Sequence, residues 1–161
     1  MAVGTLKSNA FGFHAINPAM SIPLMEGYEK ASQTFKDGAI LKRDSGQLAV
    51  AGADNTADII GVAAAPASGV TDAKRQFVLA AGNIFEATLE DETNTDHALV
   101  KTNLYTDYAA QVDSSGNYYV DENDTTNPCV MIVGANKSDI DAATVRDRKS
   151  TRLNSSHSLP S

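Results

Sequence analysis

No stretch of this chain keeps apolar residues at helical spacing over a long window, which excludes helical bundles and most mixed folds at once. From Asp37 onward the apolar residues come instead in short runs, each closed by glycine, serine, asparagine or aspartate. Ala39-Ile40-Leu41-Lys42-Arg43, then Asp44-Ser45-Gly46, then Gln47-Leu48-Ala49-Val50 reads as a hairpin. Glycine stands where a tight turn best tolerates positive φ. Asp58 to Ala64 follows as a buried strand, Pro66 to Gly69 break it, and Gln76 to Ala80 resumes. Gly82-Asn83 turns into Ile84 to Leu89, where Phe85, Ala87 and Leu89 share one face and Ile84, Glu86 and Thr88 the other.

The second half continues in the same way. His97 to Val100 reads as strand or as a single helical turn, and Tyr105 to Val112 is ambiguous on its own. The segment VDSSGNYYVD suggests another hairpin, and Pro128 to Val133 is the last clear strand before Gly134. Strands recurring at short intervals between turn signals predict an all-β fold, a small barrel or sandwich of short antiparallel strands.

Residues 1–35 differ in kind. Pro18 and Pro23 interrupt them, and no helical or alternating period is sustained. Proline fixes its own φ and pushes the preceding residue toward extended geometry, so an extended N-terminal arm is expected. Its apolar residues Phe11, Phe13, Ile16, Met20, Ile22, Leu24 and Met25 need a surface to cover, on this subunit or a neighbour, and are the candidate partner-binding residues.

The other end carries its own signal. Asp147 to His157, DRKSTRLNSSH, resembles the one-frame translation of a short-read sequencing adapter. Read so, residues 147–161 form a foreign, disordered tail and belong outside fold reasoning. Ala142 to Arg146 then looks like the start of a strand whose continuation is lost, and the native chain is expected to go on with another β-type run. The β domain proper spans residues 36–146.

The chain's 161 residues suit one domain with a modest core. It carries 13 Lys and Arg against 20 Asp and Glu, a net charge of -7. Phosphate binding needs clustered cations, and the adjacent cationic pairs of the β domain are Lys42-Arg43 and Lys74-Arg75, so direct nucleic-acid binding is disfavoured. Ser8 to Met25 lacks charged side chains, but Asn9, His14, Asn17 and the prolines interrupt it, so neither a membrane span nor a signal peptide is expected. The single cysteine, Cys129, lies in an apolar run and reads as a buried thiol.

No constellation for chemistry emerges. Asp121 to Asn127 lacks the glycine and the distal glutamate of a calcium loop. His14 and His97 have no second His or Cys at ligand spacing, and Asp96-His97 has no serine on a strained elbow beside it. Ser45-Gly46, Ser68-Gly69 and Ser115-Gly116 are explained by turn chemistry. Tyr105, Tyr108, Tyr118 and Tyr119 could stack sugars or anchor a partner, with core packing as the alternative. No catalytic, cofactor-binding or metal-binding residues are expected, and no enzyme.

Four segments carry a resemblance. Phe35-Lys36-Asp37-Gly38-Ala39-Ile40-Leu41-Lys42, Gly46 to Ala51, Ile60-Gly61-Val62-Ala63-Ala64-Ala65 and Val78 to Ala87 together resemble the head decoration, or capsid cement, proteins of tailed double-stranded DNA bacteriophages. The match covers Phe35 to Leu89, and the acidic loop after Glu90 departs from it. The resemblance implies a non-enzymatic structural protein made in the bacterial host cytoplasm and placed on the virion. Its implied partner is the major capsid protein, bound on the outer surface, and its implied state is a homo-oligomer such as a trimer. The alternative is a tail or fibre-associated module contacting carbohydrate or another virion protein.

Overall fold

The computed structural model describes residues 12–16, 23–53, 58–90, 99–134 and 149–153. In chain order the strands are β1 (His14–Ile16), β2 (Met25–Tyr28), β3 (Ile40–Asp44), β4 (Gln47–Val50), β5 (Ile59–Ala63) and β6 (Lys74–Leu79). They continue as β7 (Ile84–Ala87), β8 (Leu89–Glu90), β9 (Asp107–Val112), β10 (Tyr118–Asp121), β11 (Val130–Gly134) and β12 (Lys149–Leu153). A one-turn 3-10 helix, Lys101–Asn103, is the one helical element among the described residues. The fold is all-β, as the run pattern predicts.

Two sheets result. A seven-stranded sheet has the order β1-β7-β12-β11-β9-β10-β8, and a five-stranded sheet the order β2-β6-β5-β3-β4. All pairings within them are antiparallel except β8 with β10, which run parallel. The smaller sheet curls until its outer strands approach: Glu29 bridges Leu48, and the Lys30 N–H donates to the Leu48 carbonyl at 2.9 Å. Most of its edge is thereby paired off.

Local chemistry sets the turns. Between β3 and β4, Ser45 and Gly46 both adopt positive φ, 52° and 85°. That is the pair of values a two-residue hairpin of matching twist requires. Between β9 and β10, Asp113 accepts from the Ser115 N–H at 2.8 Å and the Asn117 N–H at 2.9 Å, so its side chain closes the turn.

One core joins the sheets. Ile40, Leu41, Val62 and Phe77 of the smaller sheet and Phe85, Val120, Val130 and Ile132 of the larger belong to a single buried cluster. The expected faces of Ile84 to Leu89 hold for Phe85, Ala87 and Leu89, all buried. Thr88 is buried as well, because its carbonyl accepts the Val120 N–H at 2.9 Å where β8 meets β10. Cys129 is buried. The Tyr118 hydroxyl crosses between sheets to donate to the Ala51 carbonyl, and burial raises its pKa.

Both chain ends differ from the simplest reading. The described part of the arm is extended but does not stand free, since β1 pairs with β7 and β2 with β6. Gly12 donates to the Tyr118 carbonyl at 3.1 Å and Phe13 to the Gly38 carbonyl at 2.9 Å, stitching the two sheets together. At the other end, Lys149–Leu153 are strand β12, between β7 and β11, where a disordered tail is expected from sequence. The physical reason is that a ladder bonds backbone groups and asks little of side chains, so a short extended segment can fill a gap between two open edges.

Candidate partner-binding surface

The structure separates the seven arm residues. Phe13 is fully buried and belongs to the core, which corrects its assignment to a partner surface. Ile16 is half-buried on β1, opposite Ile84 of β7. Leu24 and Met25 are 51% and 41% exposed. Phe11, Met20 and Ile22 lie outside the described residues.

Leu24 stands at the rim of a cleft of about 280 Å³ that opens where the sheets meet. β1 and β7 of the larger sheet contribute His14, Ala15 and Phe85, and β5 and β6 of the smaller one contribute Val62, Ala63 and Val78. Phe13, Val62, Ala63 and Phe85 make a buried apolar floor. Asp37, exposed, lies at the mouth. A concave apolar floor with a few polar groups at its edge is the usual form of a binding pocket.

What holds Leu24 in place is the strand that follows it. β2 runs into Glu29, whose side chain is fully buried and meets four donors. The Ser68 N–H and hydroxyl reach Oε2 at 2.8 and 2.9 Å, Arg75 Nε reaches it at 3.0 Å, and the Gly69 N–H reaches Oε1 at 2.6 Å. Burial pushes this carboxyl's pKa up, but the hydrogen bonds from Ser68, Arg75 and Gly69 outweigh it and hold Glu29 below its ordinary value. Ser68-Gly69 therefore does more than make a turn, and Arg75 is bound to this carboxylate. A sequence reading that assigns Ser68-Gly69 to turn chemistry and Lys74-Arg75 to surface charge misses the site because the partners lie 39, 40 and 46 residues apart.

The other candidate chemistry falls into place around this. Tyr108, Tyr118 and Tyr119 are buried, which favours core packing for them, while Tyr105 is 73% exposed with φ of 60°. Tyr108 accepts from Asn103 Nδ2 at 2.9 Å, and Asn103 Oδ1 accepts the Val100 N–H at 2.8 Å, pinning the 3-10 turn. His14 lines the cleft, whereas Asp96 and His97 lie outside the described residues. Among the described residues no group of three or more His, Cys, Asp or Glu is placed to hold a metal ion. Among them, too, no helix is long and apolar enough to cross a membrane.

Compared with known proteins, the chain matches no family model, no curated protein and no solved structure.

Proposed function

We propose that this is a structural protein of a bacteriophage head, which binds the outer capsid surface, contacts the major capsid protein and stabilises the shell without catalysing a reaction. The observation that carries the reading is the open apolar cleft with exposed Leu24 at its rim, built from an arm segment and both sheets. An exposed apolar side chain beside a ready-made apolar hollow is the composition of a contact surface. The resemblance over Phe35 to Leu89 supports the same reading, and the cleft residues Asp37, Val62, Ala63, Ala64, Val78 and Phe85 lie inside that stretch. On a lattice, many weak contacts of this size add through multivalency.

The reading is tested by co-sedimentation with expanded capsids assembled from the major capsid protein encoded alongside this chain. Removing residues 1–30 would also remove Phe13, β1 and β2, so a point change is the cleaner probe. Leu24→Asp is expected to leave the thermal transition in place and abolish most co-sedimentation. Undiminished binding by a folded Leu24→Asp variant would overturn the reading. The tail or fibre alternative rests on sugar-stacking tyrosines, and Tyr105 is the exposed one among the four considered.

A further inference from the structure

The cleft has an electrostatic feature that its apolar floor does not explain. Asp37 lies at its mouth and makes no ion pair or hydrogen bond with any described side chain. The neighbouring cation does not serve it, because Lys36 Nζ points to Asn117 Oδ1, 3.4 Å away. His14 of β1 lines the same cleft. The arrangement is therefore an apolar hollow capped by one unpaired carboxylate, on a chain whose net charge is -7.

Few chemical groups complement both parts. A carboxylate or phosphate ligand would meet the charge of Asp37 and the wider negative field. A wholly apolar side chain would fill the hollow but leave the Asp37 carboxylate at the edge of a contact with no partner, at a desolvation cost. A side chain with an aliphatic stem and a cationic head satisfies both, burying its methylenes while the head stays at the wet rim. The size agrees, since about 280 Å³ lies at the bottom of the range for small-molecule pockets and suits one inserted side chain.

We infer that the cleft takes a lysine or arginine side chain of the partner protein, stem against Phe13, Val62, Val78 and Phe85, head against the Asp37 carboxylate. This rests on the capsid-binding reading for the identity of the partner, but the recognition chemistry belongs to the cleft and can be tested without any capsid. The probes are n-hexylammonium, n-hexanol and hexanoate, titrated into the full chain and followed by the methyl signals of Val62, Ala63 and Val78.

Hexylammonium is expected to shift those signals with the highest affinity of the three, and Asp37→Asn to weaken it about five-fold while leaving hexanol unchanged. Addition of salt is expected to weaken hexylammonium selectively. Equal or tighter binding of hexanoate, no binding of any probe, or an Asp37→Asn variant indistinguishable from wild type would overturn the inference. In co-sedimentation, a cleft that binds hexylammonium in a chain that ignores capsids sinks the capsid reading alone. A chain that binds capsids through Leu24 but is indifferent to Asp37→Asn sinks the cation inference alone.

Discussion

Arg75 Nε donates to Oε2 of Glu29 at 3.0 Å, and the carboxylate that receives it is fully buried while the Arg75 side chain keeps 28% exposure. With the Ser68 and Gly69 donors, this pair locks the end of β2 to the turn before β6. Removing the charge of Glu29 leaves a buried cluster of donors short of its acceptor. Glu29→Gln is expected to lower stability by about 2–4 kcal/mol, read from the midpoint of urea unfolding. A loss under about 0.5 kcal/mol would mean that the cluster does not hold the strand.

The same carboxylate sets a pH dependence. In Glu29 and Asp113 burial pushes the pKa up, and hydrogen bonds to the ionised form, from Ser68, Arg75 and Gly69 in one case and from Asn117 and Ser115 in the other, more than offset it. Lys36 adds a favourable charge near Asp113. Both folded-state values therefore lie below their unfolded ones. A lowered folded pKa contributes stability that is complete above the unfolded value, about 4 for these groups, and is lost as pH falls through the folded one. Tm is expected to stay level on this account from neutral pH to about pH 5 and to drop below about pH 4. Asp113→Asn is expected to flatten that acid limb.

Gly61, the glycine of the I-x-G-V-A motif, has a packing reason. A Cβ there would lie 2.1 Å from the Val78 carbonyl oxygen of β6, which is backbone and cannot swing aside. Gly61→Ala is expected to cost at least about 3 kcal/mol or to prevent folding. Gly52→Ala, where a Cβ meets nothing within 4 Å, is the control and is expected to change stability by less than about 0.5 kcal/mol. Equal effects at the two sites would contradict the pairing of β5 with β6.

Thr151 lies in β12 with Ile132 of β11 on one side and Phe85 of β7 on the other. Proline there removes a donor from a strand paired on both edges. Thr151→Pro is expected to cost about 3 kcal/mol and to speed hydrogen exchange in β7 and β11. An unchanged exchange pattern would show that Lys149–Leu153 do not hold this place in the sheet.

Strand identity was largely readable because short strands bounded by turn residues are encoded locally. The β3-β4 hairpin, β5, the buried face Phe85, Ala87 and Leu89, and the Asp113 turn follow from neighbours within a few residues. What joins them is not local. Phe13 reads as an apolar residue in search of a surface, and its surface proves to be this chain's own core. The Tyr118 bond to Ala51 spans 67 residues and Glu29 reaches its donors across 39 to 46, separations over which no periodicity operates. The cleft shares this property, since its floor is assembled from segments near residues 13, 62, 78 and 85.

The claim that this chain reinforces a larger shell is tested most directly by the thermal disassembly of expanded capsids with and without saturating protein. Wild type is expected to raise the temperature at which the shells open, and Leu24→Asp to leave it where bare capsids have it. Identical melting of bare and saturated capsids would contradict the account.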